Sequence, residues 1–204
     1  MHGPPHLPGN YPLESWSIID KYVRVHWINY HGFKEELKKN LSKTSAMVLL
    51  CDIHEFTNLC KKLDLSDLRD FINSFFTLMS DVLHNRGGRI NKFIGDAVLA
   101  FFDCKEDTNL LDVGQELIKR YRNWFKDKGE PYVITDLTVL VGKLSSLIRG
   151  FVGNPNIYVE YSYWGPTLNL LFKESKKEDV KEGRVHVYIE ENGSLQKVNE
   201  VEVP

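Results

Sequence analysis

The run Ala46-Met47-Val48-Leu49-Leu50-Cys51-Asp52-Ile53 is apolar at every position but one, and the exception is a carboxylate near its end. A short continuous apolar run reads as a buried strand. Phe56-Thr57-Asn58-Leu59-Cys60-Lys61-Lys62-Leu63 follows and opens a helix, with Thr57 as the expected cap. Ser66 precedes a longer helix. In it Leu68, Phe71, Ile72, Phe75, Phe76, Met79, Val82 and Leu83 recur at three- and four-residue steps, which buries one face. Gly87-Gly88 ends that helix. Residues 89–93 and 97–102 read as two strands around a tight turn at Ile94-Gly95-Asp96.

Further along, residues 108–127 form another amphipathic helix. Residues 136–144, 146–153 and 158–165 read as three strands, and Thr167 to about Lys177 as a helix. Residues 184–190 and 195–203 close the chain as strands, with Asn192-Gly193 as a hairpin signal. Helices that alternate with strands and hairpins give an α+β sandwich. Upstream, residues 1–13 hold four prolines and two glycines and read as a flexible lead-in. Residues 14–40 read as a helix, with Trp16, Ile19, Tyr22, Val23 and Trp27 near helical spacing. The expected division is residues 1–44 as an N-terminal segment and residues 45–204 as the domain.

The chain has 204 residues, 42% of them hydrophobic, which suits one domain with a real core and excludes wholesale disorder. Its 26 basic and 28 acidic residues leave no broad field for nucleic acid or an anionic membrane. No apolar run approaches the roughly 18 residues of a membrane span. The N-terminus lacks the basic and apolar regions of a signal peptide. Cys51, Cys60 and Cys104 cannot all pair and form no CxxC, so reduced thiols and a cytoplasmic location are expected.

Two carboxylates stand out. Asp52 ends an apolar strand and Asp96 sits in a turn, and such positions can bring two acids together across 44 residues (96 − 52). Close carboxylates repel unless a divalent cation lies between them, and hard oxygen ligands suit Mg²⁺ or Mn²⁺. Position alone also allows a plainer reading, with Asp52 as a helix cap and Asp96 as a hairpin residue.

Leu50-Cys51-Asp52-Ile53-His54-Glu55-Phe56-Thr57, then Gly87-Gly88, then Lys92-Phe93-Ile94-Gly95-Asp96-Ala97-Val98-Leu99-Ala100-Phe101-Phe102, resembles the class III nucleotidyl cyclases. Trp164-Gly165-Pro166-Thr167-Leu168-Asn169 is similar to a later segment of that family. The resemblance implies a cyclase-like sandwich with a central, mostly antiparallel sheet flanked by helices. It implies that Asp52, Asp96 and the carbonyl of Ile53 bind two metal ions, Mn²⁺ or Mg²⁺. Phe56 and Thr57 fall in the substrate-binding turn, although Phe56 also reads as plain core and Thr57 as a cap. Asn169 matches the family's ribose-orienting asparagine. Lys173 stands where the family has an arginine for the α-phosphate; it keeps the charge and loses the bidentate fork. It also reads as one of several solvated lysines.

Lys92 and Ser162 occupy the family's base-choosing positions. A lysine cannot accept from guanine's N1–H and N2–H, so guanine is disfavoured. Adenine and uracil both offer partners for Lys92 and Ser162. Tyr163 and Trp164 are bulky enough to narrow the pocket toward a pyrimidine, or serve as core. Lys197 is a weak candidate for a triphosphate-binding lysine. The family's composite sites imply a homodimer. In it, Asp52 and Asp96 of one subunit meet Asn169 and Lys173 of the other.

The expected activity is a nucleotidyl cyclase that makes a 3′,5′-cyclic mononucleotide and pyrophosphate. The short chain and Lys173 are similar to the bacterial pyrimidine cyclases of Pycsar antiphage defence. UTP is therefore the favoured substrate, with cyclic UMP read by a separate effector. The alternatives are an adenylate cyclase and an inactive cyclase-like nucleotide-binding module.

Overall fold

A computed structural model describes residues 42–104, 108–126, 128–129, 131–154 and 158–204. The expected lead-in and N-terminal helix, residues 1–40, lie outside the described residues. Contacts divide the chain into two units, residues 42–150 with 161–204 and residues 1–41 with 151–160. Every candidate residue named above belongs to the first; in the second, residues 151–154 and 158–160 are strand.

The strands are β1 (Ser42–Ile53), β2 (Arg89–Ile94), β3 (Ala97–Phe102), β4 (Leu137–Asn154), β5 (Tyr158–Trp164), β6 (Arg184–Glu191) and β7 (Ser194–Glu202). They form one sheet in the order β2-β3-β1-β4-β6-β7, and β5 pairs with β4. β4 and β6 run parallel, while β1–β3, β1–β4, β2–β3 and β6–β7 are antiparallel. A parallel pair needs a crossover, and the chain makes it through β5 and a helix. The described helices are α1 (Phe56–Lys62), α2 (Leu65–Asn85), α3 (Leu110–Phe125) and α4 (Pro166–Glu174). The expected mixed sandwich is therefore observed.

Strand alternation splits the core into two layers. Leu49, Cys51 and Ile53 of β1 face a core shared with Phe71, Phe75 and Met79 of α2 and Leu117, Ile118 and Tyr121 of α3. Ala46, Val48 and Leu50 face the other core, with Leu168 and Leu171 of α4. Each fully buried leucine or phenylalanine is worth about 1.5–3 kcal/mol. Asp52 follows Val48 and Leu50 at the same alternation, so it continues the row on the α4 side. The three cysteines are free thiols.

Three local expectations need correction. Thr57 is not a cap: it lies within α1, and Glu55 precedes the helix in the left-handed region, at φ 61°, with no side-chain cap bond. Ser66 lies inside α2, whose cap is Asp64, accepting from the Asp67 N–H at 2.8 Å. A side-chain oxygen at this place satisfies an orphan helix donor. The two strands expected over residues 136–153 are one, β4. The Ser145-Ser146 step that read as a break is held extended by Glu190, which accepts from both backbone N–H groups at 2.7 and 3.0 Å. The same carboxylate accepts from Thr167 Oγ1 at 3.2 Å. Burial alone would push Glu190 up, but these hydrogen bonds prevail and hold it below the usual glutamate range.

Candidate active site

The end of β1 is fixed before any site chemistry begins. Asp52 lies opposite Thr138 and Ile53 opposite Leu137, while His54 donates its backbone N–H to the Asp136 carbonyl at 2.8 Å. Asp136 is itself clamped. Its Oδ2 accepts from Arg122 of α3 at 3.0 and 2.7 Å, and its Oδ1 accepts from the Leu137 N–H at 2.8 Å. Arg122 also donates to the Val203 carbonyl. One guanidinium thus joins α3, the start of β4 and the chain's last strand end.

On that platform the Asp52 and Asp96 carboxyls lie within hydrogen-bonding reach of each other. Asp96 reaches Asp52 because β2 and β3 turn tightly at Gly95, whose φ is 63°. Two carboxyls bond only when one holds a proton. Burial, then the hydrogen bond to Asp96, then its negative charge raise Asp52 to about 7. The Ile53 N–H, donating to Asp52 Oδ1 at 3.0 Å, and the charge of Lys176 pull the other way. The geometry therefore places the two acids together, as their positions suggested. Two hard carboxylates beside a strand-end carbonyl suit Mg²⁺ or Mn²⁺, which leave places for phosphate oxygens. Among the described residues no group of three or more His, Cys, Asp or Glu side chains converges on a metal-sized site.

A cavity of about 300 Å³ opens beside Asp52. Its wall includes Ile53, His54 and Glu55 of the β1–α1 turn, Thr138, and Ser175, Lys176, Lys177 and Lys181 of the α4–β6 segment. Phe56 is half-buried, with its ring 6.3 Å from that of Phe71, so it packs as core. Thr57 is exposed in the first turn of α1. Asn169 and Lys173 are exposed on α4 one turn apart, and neither lines this cavity. Lys92 and Ser162 are also outside it.

Ser162 is fully buried and donates to Asn91 Oδ1 at 2.9 Å. Asn91 was not among the sequence candidates. A bulge between Ile90 and Lys92 brings it there. Ile90 packs on the α2 side, and Phe93 stacks on Phe76 of α2 at 4.1 Å. The two residues between them, Asn91 and Lys92, therefore share the opposite face. Tyr163 stacks on Phe101 at 4.0 Å, which makes it a core aromatic. Lys197 bonds Glu200, so its charge is already engaged. Gly165, before α4, permits a close approach that a side chain would forbid: an added Cβ would collide with the Ser146 carbonyl oxygen. Among the described residues no helix is long and apolar enough to cross a membrane.

The model of the adenylate and guanylate cyclase catalytic domain matches residues 39–203. An adenylate cyclase of Anabaena cylindrica is 31% identical over 70 residues, which is 34% of this chain and 14% of that protein. The terminal-differentiation-specific adenylate cyclase of Dictyostelium discoideum is 30% identical over 89 residues, 42% of this chain and 4% of that protein. The chain thus matches only a small part of these much longer relatives. Among solved structures, the adenylyl cyclase CyaB from P. aeruginosa superposes with a TM-score of 0.63 at 21% identity, covering 73% of this chain and 79% of that one. The guanylyl cyclase Cya2 gives 0.57 at 19% identity, covering 73% and 77%. At these identities the structural likeness is one of fold.

Proposed function

The chain belongs to the adenylate and guanylate cyclase catalytic domain family, the class III nucleotidyl cyclases, and on that premise we propose that it cyclises a nucleoside triphosphate. The observation that carries the reading is the pair Asp52–Asp96, two acids that the fold brings side by side, with Asp52 raised to about 7. A fold gains nothing in stability from such a pair; a cation-binding site needs it.

Cyclase domains of this class use two divalent metal ions. When bound, Mg²⁺ or Mn²⁺ supplies positive charge that acidifies the ribose 3′-hydroxyl and neutralises the triphosphate. Asp52, Asp96 and the Ile53 carbonyl are the residues that would hold them. In the reaction the 3′-oxygen forms a bond to the α-phosphorus, the bond from that phosphorus to the bridging oxygen breaks, and pyrophosphate leaves. The hydroxyl proton goes to solvent. Asn169 orients the ribose and Lys173 meets the α-phosphate. Their absence from the cavity beside Asp52 supports a homodimer in which each site takes the acids from one subunit and α4 from the other.

Lys92, beside the Asn91–Ser162 pair, faces the base. UTP is the first proposal, by the likeness of Lys173 to the pyrimidine cyclases, with cyclic UMP as a signal read by a separate effector in antiphage defence. ATP is the second reading. Two observations favour it: Tyr163 is stacked away in the core, and the named relatives include adenylate cyclases. The test is an equimolar mixture of the four triphosphates with Mn²⁺, read by mass spectrometry. Cyclic UMP supports the first base, cyclic AMP the second. No cyclic product from any triphosphate removes the cyclase reading and leaves a nucleotide-binding module.

A further inference from the structure

We infer that Lys176, on the segment between α4 and β6, binds the β- and γ-phosphates of the nucleotide, and the pyrophosphate they become, from the same subunit that carries Asp52. The inference rests on the nucleotide reading above and adds a phosphate-binding residue to it.

The segment is built, not merely near. The buried His186 bonds the Lys181 carbonyl through Nε2 at 2.9 Å. Gly183 donates its N–H to the Leu137 carbonyl at 2.8 Å, one residue along from Asp136. Val180 N–H bonds the Lys177 carbonyl at 3.1 Å. His54 Nδ1, on the β1–α1 turn, lies 3.8 Å from Glu182. These ties hold the segment and the turn after Asp52 as two walls of one cavity.

Three lysines line the cavity, Lys176, Lys177 and Lys181, and of these it is Lys176 whose charge acts on Asp52. Lys177 is paired with Glu174 at 2.7 Å. Lys176 lines the cavity, has no ion pair among the described residues, and its charge acts on Asp52. Glu55, Glu178 and Glu182 also line the wall. Glu55 is bonded to Asn58, and Glu182 faces His54. These acids do not converge with Asp52 into a further metal-sized group among the described residues. At Asp52 itself the segment contributes the positive charge of Lys176. An ammonium on a flexible stem is a point charge with three donors, suited to a mobile polyphosphate tail. With Lys173 reserved for the α-phosphate of the partner's nucleotide, Lys176 serves the leaving group of its own subunit's site.

The test is calorimetric binding of magnesium pyrophosphate to the full chain, without nucleotide turnover. Lys176→Ala should weaken binding about tenfold, with Lys176→Arg retaining most of it and Lys177→Ala close to wild type. Nucleoside monophosphate, which lacks the tail, should bind both proteins equally. If Lys176→Ala binds pyrophosphate as well as wild type, or if wild type does not bind it, the inference is overturned. If binding depends on Lys176 but no triphosphate is cyclised, the inference stands and the cyclase reading falls.

Discussion

Asp52 and Glu200 are both carboxylates at the margin of the core, and the fold drives them in opposite directions. Asp52 is raised to about 7 by burial, by its bond to Asp96 and by that residue's charge. Glu200 is lowered to about 2 by hydrogen bonds from Lys197 and Arg184, the latter at 2.7 Å. Arg184 also bonds Glu202 at 2.7 Å, so the β6–β7 hairpin is laced by charges of opposite sign. The contrast separates two uses of an acid. On β6–β7 Glu200 and Glu202 meet cations of the chain itself, and the cluster fastens two strands. At Asp52 two negative charges meet each other, with Lys176 as a modest counterweight. In the proposed function a bound divalent cation supplies the missing positive charge.

The largest effect that would break this contrast is on turnover. Asp96→Asn should lower cyclic-nucleotide formation by roughly a thousandfold or more, and chelation by EDTA should do the same to wild type. Retained activity in Asp96→Asn, by product assay, would refute the acid-pair account. Next is Arg122→Ala, which strips Asp136, in the platform beneath the acid pair, of its cation. It should cost about 2 kcal/mol in a urea melt, because a half-buried carboxylate loses its partner.

Asp52→Asn should act in the other direction on the metal-free protein. Asp52 is an acid whose folded value lies above its unfolded one, so ionisation costs stability as pH rises toward and past about 7. Removing the charge should raise stability by about 1–2 kcal/mol at pH 8, after allowing for solvent screening, and by little at pH 4. Equal melting temperatures at pH 8 would show that the two acids do not oppose each other. The smallest effect is Glu200→Gln. A depressed acid contributes above its unfolded value and loses that contribution as pH falls toward about 2. The expected loss is under about 1 kcal/mol at pH 7, vanishing near pH 2, because the cluster is largely solvated.

Much of the fold was legible because its signals are local. The apolar run before Asp52 is β1, the spacing from Phe71 to Leu83 is the buried face of α2, and Asn192-Gly193 is the turn it resembled, with φ 51° and 76°. The misread places were those where a distant side chain intervened. Ser145-Ser146 looked like a break because Glu190, 45 residues on, was not visible as its hydrogen-bond acceptor. Thr57 looked like a cap because nothing local announces a left-handed Glu55. The acids Asp52 and Asp96 were found by their positions, whereas Asn91 was missed, because a bulge leaves no reliable mark in composition. Lys176 was not among the sequence candidates; the crossover brings it to the cavity wall.

The order of residues by itself determined which segments are strands and helices, which faces are apolar, and which two acids stand at a strand end and a turn. Those properties depend on neighbours three or four positions away, or on one tight turn. Only the tertiary structure decided that the acids meet, that Ser162 is committed to Asn91, and that a lysine segment faces Asp52. Each of these joins parts of the chain tens of residues apart, where pairing register, burial and a crossover set the distance and no local pattern can.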